Sequence, residues 1–453
     1  MSHEKLFENK SIQHLIVLFS FPTIFSLVLE SFVSMIDTAF AGHLGSMSSI
    51  ALSAMGLLTP ILQILLAAQL IFGVSTSIVV SKRLGEKNQE KVNETFTIGF
   101  YGCGVFSIAI SLLIFLLQDP LLFVLGASGE VRRYALQYLN LALIFNIFNS
   151  LGYMLVNMIR VFGYPKMEII IGVISTLSNV FFNVLFTFIL GFGFIGIAFA
   201  TLTSSVIYFS CAVLFLMHKK LWMKKVHLTI NPSKEILISI IKIGFVQFLM
   251  QALNSVSGFV INRRLIGLGY VSSIGAFAIC NNINTVILLP LIGLIQGSQS
   301  VIAYFHGRQN HQSERIAKQK IVNYSLIYAL VITIVSLLWT RPLLMIFTSD
   351  ESLIQSAIPI LRIMVAGFPF MGIIYTLITF MQVSKEEAKA SQLEVVRQIV
   401  LLIPLVIVFS VLFSRFNIFN ISAEQGMFLA FPLTNMIIVL FYFKKIKTIY
   451  KDD

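Results

Sequence analysis

Apolar runs long enough to cross a bilayer recur along this chain from end to end, separated by short polar breaks. One crossing needs about 20 apolar residues in an α-helix, at roughly 1.5 Å of rise each. Inside lipid every backbone N–H and C=O must find its partner within the protein, so only helices and closed barrels qualify. Barrel strands alternate apolar and polar residues, and these runs do not. The expected fold is therefore an all-α polytopic membrane protein. Composition agrees: 57% of the residues are hydrophobic and 11% are charged, against about 25% charged in an average soluble chain. Spans are expected at about 14–42, 51–81, 94–117, 131–159, 167–190 and 194–217. A second set follows at about 236–266, 275–304, 318–340, 354–382, 391–413 and 424–443, twelve in all. Pro60, Pro290, Pro404 and Pro432 are expected to kink their helices.

The formal charge of +12 does not imply a nucleic-acid partner, because the basic residues gather in alternate loops. They cluster in the amino-terminal tail, at Lys82–Lys91, at Arg160 and Lys166, at Lys219–Lys234, at Arg308–Lys320, at Lys385 and Lys389, and in the carboxy-terminal tail. By the positive-inside rule both termini and every even-numbered loop are expected in the cytoplasm of a cell-membrane protein. Arg263 and Arg264 stand apart, near the outer end of the seventh span. The opening segment MSHEKLFENKSIQ has no signal-peptide pattern. Cys103, Cys211 and Cys280 fall in apolar stretches, with no disulfide or metal spacing.

The two halves repeat. LGSMSSI at 44–50 recurs as LGYVSSI at 268–274, and Gly73 recurs as Gly297. After one small gap, GEKN (Gly85 to Asn88) recurs as GRQN (Gly307 to Asn310), and Pro120-Leu-Leu as Pro342-Leu-Leu. Six helices, an even number, separate the copies, so both have one orientation and the axis relating them runs along the membrane normal. The expected organisation is an amino-terminal six-helix lobe, 1–217, a basic cytoplasmic linker, 218–235, and a carboxy-terminal six-helix lobe, 236–453. Two lobes in one chain make a monomer the expected working unit.

The chemistry points to Phe19–Gly45, FSFPTIFSLVLESFVSMIDTAFAGHLG. Glu30 and Asp37 lie seven residues apart in this apolar run, on nearly the same helical face. A carboxylate near mid-bilayer costs about 2.5–3.5 kcal/mol on insertion scales, so an acid there is a site candidate by default. Asp37 can exchange a proton or bind Na⁺; the alternative is an acid that merely ties two helices together. Glu30 either lines a passage and attracts cations or is a satisfied polar residue at an interface. Pro22 weakens the same helix and is the expected bend. In the fifth span Asn179 and Asn183 share a face; alone they read as interhelical hydrogen bonds. Gly191, Gly193 and Gly196 spell G-x-G-x-x-G, but no strand precedes them, so they read as a tight turn between spans. No Walker loop, H-E-x-x-H, G-x-S-x-G or clustered catalytic group is present, so neither an ATP-driven pump nor a membrane enzyme is expected.

These residues resemble a known family. Pro22 through Asp37-Thr38 to Leu44-Gly45 is similar to the first helix of multidrug and toxic compound extrusion (MATE) transporters. Asn179, Asn183, Gly191 and Gly196-Ile-Ala-Phe-Ala-Thr201 resemble the branch related to DNA-damage-inducible protein F, in which the residue matching Asn183 is an Asp. The likeness covers essentially the whole chain. It implies a secondary active transporter that exports amphipathic or cationic organic compounds in exchange for H⁺ or Na⁺, with no other cofactor. It also places a cation or proton site on Asp37, Asn179, Asn183 and Thr201, with one carboxylate where the branch has two. Another branch carries a seventh-span Glu, matched here by Asn254. Glu30, Asp37, Asn157 and Asn254 are the candidate substrate-binding residues. No acid is expected deep in the second bundle. The alternative is a lipid-linked oligosaccharide flippase of the same superfamily, which calls for a more basic cleft.

Overall fold

The structure, a computed structural model, describes residues 7–8, 10–218, 233–270, 272–348, 350–416 and 422–450. Among them there is no strand. Eleven helices are long and apolar enough to span a membrane, and a bent pair supplies a twelfth. In chain order they are α1 (Ile12–Gly42), α2 (Ser48–Gly85), α3 (Gln89–Val124), α4 (Gly129–Val161), α5 (Pro165–Ile189) and α6 (Phe194–His218). Then come α7 (Lys234–Gly267), α8 (Ser272–Gly307), α9 (His311–Leu338), α10 (the bent pair Glu351–Ala366 and Phe368–Val383), α11 (Glu387–Arg415) and α12 (Ala423–Phe441). A short amphipathic helix, α13 (Phe443–Tyr450), follows. Most of the linker expected over 218–235 falls outside the described residues.

The chain divides into two compact units. One comprises Met1–Phe248 with Ala303–Gln309, the other Leu249–Ile302 with Asn310–Asp453. In the first, α4 is the central helix and packs on α2, α3, α5 and α6, while α1 rests chiefly on α5. At one end of this unit an apolar cluster that includes Leu58, Ile61, Leu122, Leu139 and Ile197 is sealed from solvent. In the second, α9 packs on the later half of α10, and α11 on α12. Large apolar side chains also face outward: Phe123 is 81% exposed, and Val105 and Leu116 are exposed beside it on α3. Such a surface suits a protein whose solvent is lipid.

The repeated residues do the same local jobs. Asn88 accepts from the Lys91 N–H at the start of α3, and Asn310 from the Ser313 N–H at the start of α9. Each cap follows a residue in the left-handed region, Lys87 (φ 57°) and Gln309 (φ 56°). The paired glycines are contact points. A Cβ on Gly85 would collide with the Tyr304 carbonyl, and one on Gly307 with the Lys82 carbonyl. The last turn of α8 thus seats against the last turn of α2 with backbone on backbone.

Pro60 and Pro290 lie inside uninterrupted helices. A sharp bend, 44°, falls within the tenth span, between Ala366 and Phe368. Gly367 ends the first segment, and Pro369 opens the second at a position where its missing N–H costs nothing. On the loop before α11, Glu386 accepts from both Lys389 and Lys445, and these ammonium groups hold its carboxyl below the usual range. That ties α13 to the unit.

Gly85→Ala and Gly307→Ala are each expected to cost about 1–3 kcal/mol through overpacking. The readout is a lower melting temperature in detergent. Gly56→Ala, inside α2 where a Cβ meets nothing within 4 Å, is expected to raise it slightly, because Ala favours the helix over Gly.

Candidate functional site

The turn between α5 and α6 places the site. Gly191 and Gly193 adopt φ of 71° and 57°, which L side chains rarely tolerate. A Cβ on Gly196 would press on the backbone of Phe186 and Thr187. The G-x-G-x-x-G is thus the hairpin bend that the sequence implied. Just before it, Val184–Ile189 widens into π turns. Such bulges re-aim side chains and gather at functional sites. Here they follow directly on Asn183.

This hairpin brings α5 and α6 against the distal part of α1 and assembles four of the expected residues. Asp37 is only 4% exposed, and Asn179 and Asn183 are fully buried. Thr201 donates its hydroxyl to Asp37 Oδ2 at 2.7 Å. Asn183 Nδ2 donates to Asp37 Oδ1 at 2.9 Å and lies 3.1 Å from Asn179 Oδ1. Asn179 Nδ2 stands 3.4 Å from both Asp37 Oδ1 and Thr201 Oγ1. Among the described residues no Lys, Arg or His pairs with Asp37. Asn183 Oδ1 and, one turn on, Thr187 Oγ1 are buried with no hydrogen-bond partner. The site is thus one carboxylate, ringed by neutral donors, beside free oxygens. Hard cations take oxygen ligands of these kinds, and a proton needs only the carboxylate. Tyr138 of α4, buried beside Thr201 and Asp37, is a neighbour that sequence reasoning missed. Nothing in its local pattern marks it.

The other candidates lie elsewhere. Glu30 is exposed on α1. Asn157 is buried and occupied, donating to the Tyr153 carbonyl at 2.8 Å and accepting from Arg160. Asn254, exposed on α7, accepts from Gln398 Nε2 at 2.5 Å. Pro22 is buried within an unbroken α1.

Two readings of charge are corrected. Arg160 is not a loop cation: it is 1% exposed and pairs with buried Glu168 at 3.0 Å. The second unit does hold a deep acid. Glu394 is 0% exposed and forms a two-pronged pair with Arg397, at 2.5 and 3.1 Å. Gln398 links that pair to Asn254 and Ser257. Arg397 and Gln398 lie in a second π segment, Val396–Leu402. The i, i+3 spacing of Glu394 and Arg397, an acid and a base that can cancel on one helix face, was the available signal. Arg264 donates to Ser410 at 2.6 Å, and Arg263 stacks over Phe259.

The MatE family model matches residues 22–185 and 247–408. The multidrug export protein MepA of Staphylococcus saprophyticus is 27% identical over 420 residues, 91% of each chain. MepA of Staphylococcus haemolyticus is 26% identical over 452 residues, 97% of this chain and 98% of its own. A solved structure, the outward-facing conformation of a multidrug resistance MATE family transporter of the MOP superfamily, has a TM-score of 0.88 over 99% of this chain and 98% of that one. Its identity is 21%, so the likeness is one of fold.

Thr201→Val and Asn183→Leu each remove a donor from a buried carboxylate and are expected to cost about 1–3 kcal/mol. Both should lower the melting temperature at neutral pH. Glu30→Gln, at an exposed position, is expected to stay within about 0.5 kcal/mol of the parent.

Proposed function

The chain belongs to the MatE family, and on that premise we propose that it is a secondary active transporter exporting amphipathic, cationic organic compounds in exchange for H⁺ or Na⁺. The observation that carries this reading is the Asp37 cluster. A lone carboxylate is sealed in the membrane part of the protein, held only by neutral donors. An ion-paired carboxylate is already neutralised and gains little from a further cation. Asp37 has no such partner and is open to a mobile ion, and Asn183 Oδ1 and Thr187 Oγ1 supply oxygens without competing partners. The MepA relatives are named as multidrug export proteins, which supports export of small organic compounds here.

In this reading the amino-terminal and carboxy-terminal lobes, 1–217 and 236–453, alternate between inward-open and outward-open states. The protein works as a monomer in the cell membrane with both termini cytoplasmic. The basic even-numbered loops support that orientation, although Arg160 no longer counts among them. An external ion neutralises Asp37 and favours release of substrate outside. Each ligand shifts the equilibrium only by its difference in affinity for the two states. Glu30, exposed seven residues before Asp37, draws cationic substrates by charge.

Proteoliposomes carrying separately imposed pH and Na⁺ gradients test the reading. Efflux of an ethidium-type dye is expected to follow one of them, and Asp37→Asn should reduce gradient-driven efflux at least about fivefold. Undiminished, gradient-dependent efflux in that variant overturns the assignment. Transport of a lipid-linked oligosaccharide in place of dyes would favour the flippase alternative. Glu30→Gln is expected to slow export of cations more than of neutral compounds, measured side by side in the same vesicles.

A further inference from the structure

A buried cluster outside the Asp37 site grips α1 near its start. Arg160, at the end of α4, and Glu168, in the first turns of α5, are both buried, and Arg160 Nη1 lies 3.0 and 3.3 Å from the two carboxylate oxygens. The same Nη1 donates to Thr23 Oγ1 at 2.5 Å. Thr23 Oγ1 stands 3.1 Å from the Phe19 carbonyl and 3.4 Å from Glu168 Oε2. Asn157 accepts from the other guanidinium nitrogen. Three helices therefore meet at one guanidinium, and on α1 the point of contact is the residue after Pro22.

The burial pattern of α1 sharpens this. Leu15, Ile16, Phe19, Ser20, Pro22 and Thr23 are buried, and so are Asp37 and Ala41. Between the two sets, residues 24–36 include no buried side chain. The helix is fastened at Thr23 and at Asp37, fourteen residues or about 21 Å apart at 1.5 Å per residue; Ser26, one turn after Thr23, adds a 3.5 Å contact to the Glu168 carbonyl, and residues 27–36 bury no side chain. A proline weakens a helix where it removes a donor, yet this one sits on the fastened side.

The geometry points to the Arg160–Glu168–Thr23 cluster as a positioning device for transport: it anchors the first part of α1, up to Ser26, so that a change of occupancy at Asp37 bends only the 27–36 stretch. This rests on the exchange role of Asp37 for its consequence, but not for the anchor itself. A fixed lower end turns a local change at Asp37 into a bend. A free lower end lets the helix shift as a rod, and the signal is lost. The ion pair is self-neutralised, which suits an anchor and not an exchange site. Arg160, Glu168 and Thr23 are thus positioning residues that act through α1.

Spin-label distances test it in a background with Cys103, Cys211 and Cys280 replaced. Val17→Cys and Phe32→Cys are each paired with Leu177→Cys on α5; all three positions are exposed. With Asp37 intact, Thr23→Val is expected to broaden the 17–177 distribution, and Thr23→Ser, which keeps the hydroxyl, to restore it. With Thr23 intact, Asp37→Asn is expected to move the 32–177 distance and leave 17–177 in place. An unchanged 17–177 distribution in Thr23→Val overturns the anchor, as does a 17–177 shift in Asp37→Asn alone. In vesicles Thr23→Val should keep the half-saturating dye concentration and lower the maximal rate roughly fivefold or more. A reverse pattern, weaker dye binding at full rate, also overturns it. Wild-type efflux in Asp37→Asn would instead remove the exchange reading, while the Thr23→Val distances still decide the anchor.

Discussion

Asp37 has no cationic partner among the described residues, and that fact orders the rest of the structure. Burying an unpaired carboxylate is expensive, and neutral donors recover part of the cost at about 1.5–3 kcal/mol for each hydrogen bond to a charge. Three donors from two helices converge on it. They can do so only because α5 and α6 form a tight hairpin with left-handed glycines at its bend. The π turns beyond Asn183 adjust the last part of α5, and Thr201 faces back from α6. A basic residue at the same place would instead cancel the carboxylate's charge.

The other buried charges follow the opposite logic. Arg160 with Glu168 and Arg397 with Glu394 cancel within their own pairs. Each is linked to buried polar side chains: Thr23 and Asn157 in the first unit, Gln398 in the second. Removing one member of such a pair strands the other in a medium that cannot solvate it. These pairs hold helices, whereas the lone acid has no charged partner among the described residues. The membrane part of the protein thus separates charges that cancel from a carboxylate that neutral donors alone surround.

Much of this was legible from residues alone. Span-length apolar runs predicted the eleven long apolar helices and the bent pair seen among the described residues, because lipid leaves a backbone few choices. The repeat was legible too: GEKN and GRQN mark matching left-handed turns and matching asparagine caps. The bend in α10 is signalled only by Gly367 and Pro369, since apolar composition runs straight through the break. Arg160 ends a helix, a position that says nothing of whether Glu168 and Thr23 lie beside it. Glu394 gives no clearer signal, because it sits near a span boundary, where charges are normally solvated.

The amino-acid order by itself determined that this chain is helical and membrane-spanning, that it is built twice over, and that Asp37 is the acid to explain. Those properties depend on hydrophobic length and on the cost of a charge in lipid, which are read one helix at a time. Only the tertiary structure decided which groups answer that charge. Whether Asn179, Asn183 and Thr201 reach Asp37, and whether Arg160 grips Thr23, depends on how four helices are rotated about their axes, and rotation is set by packing between residues far apart in the chain.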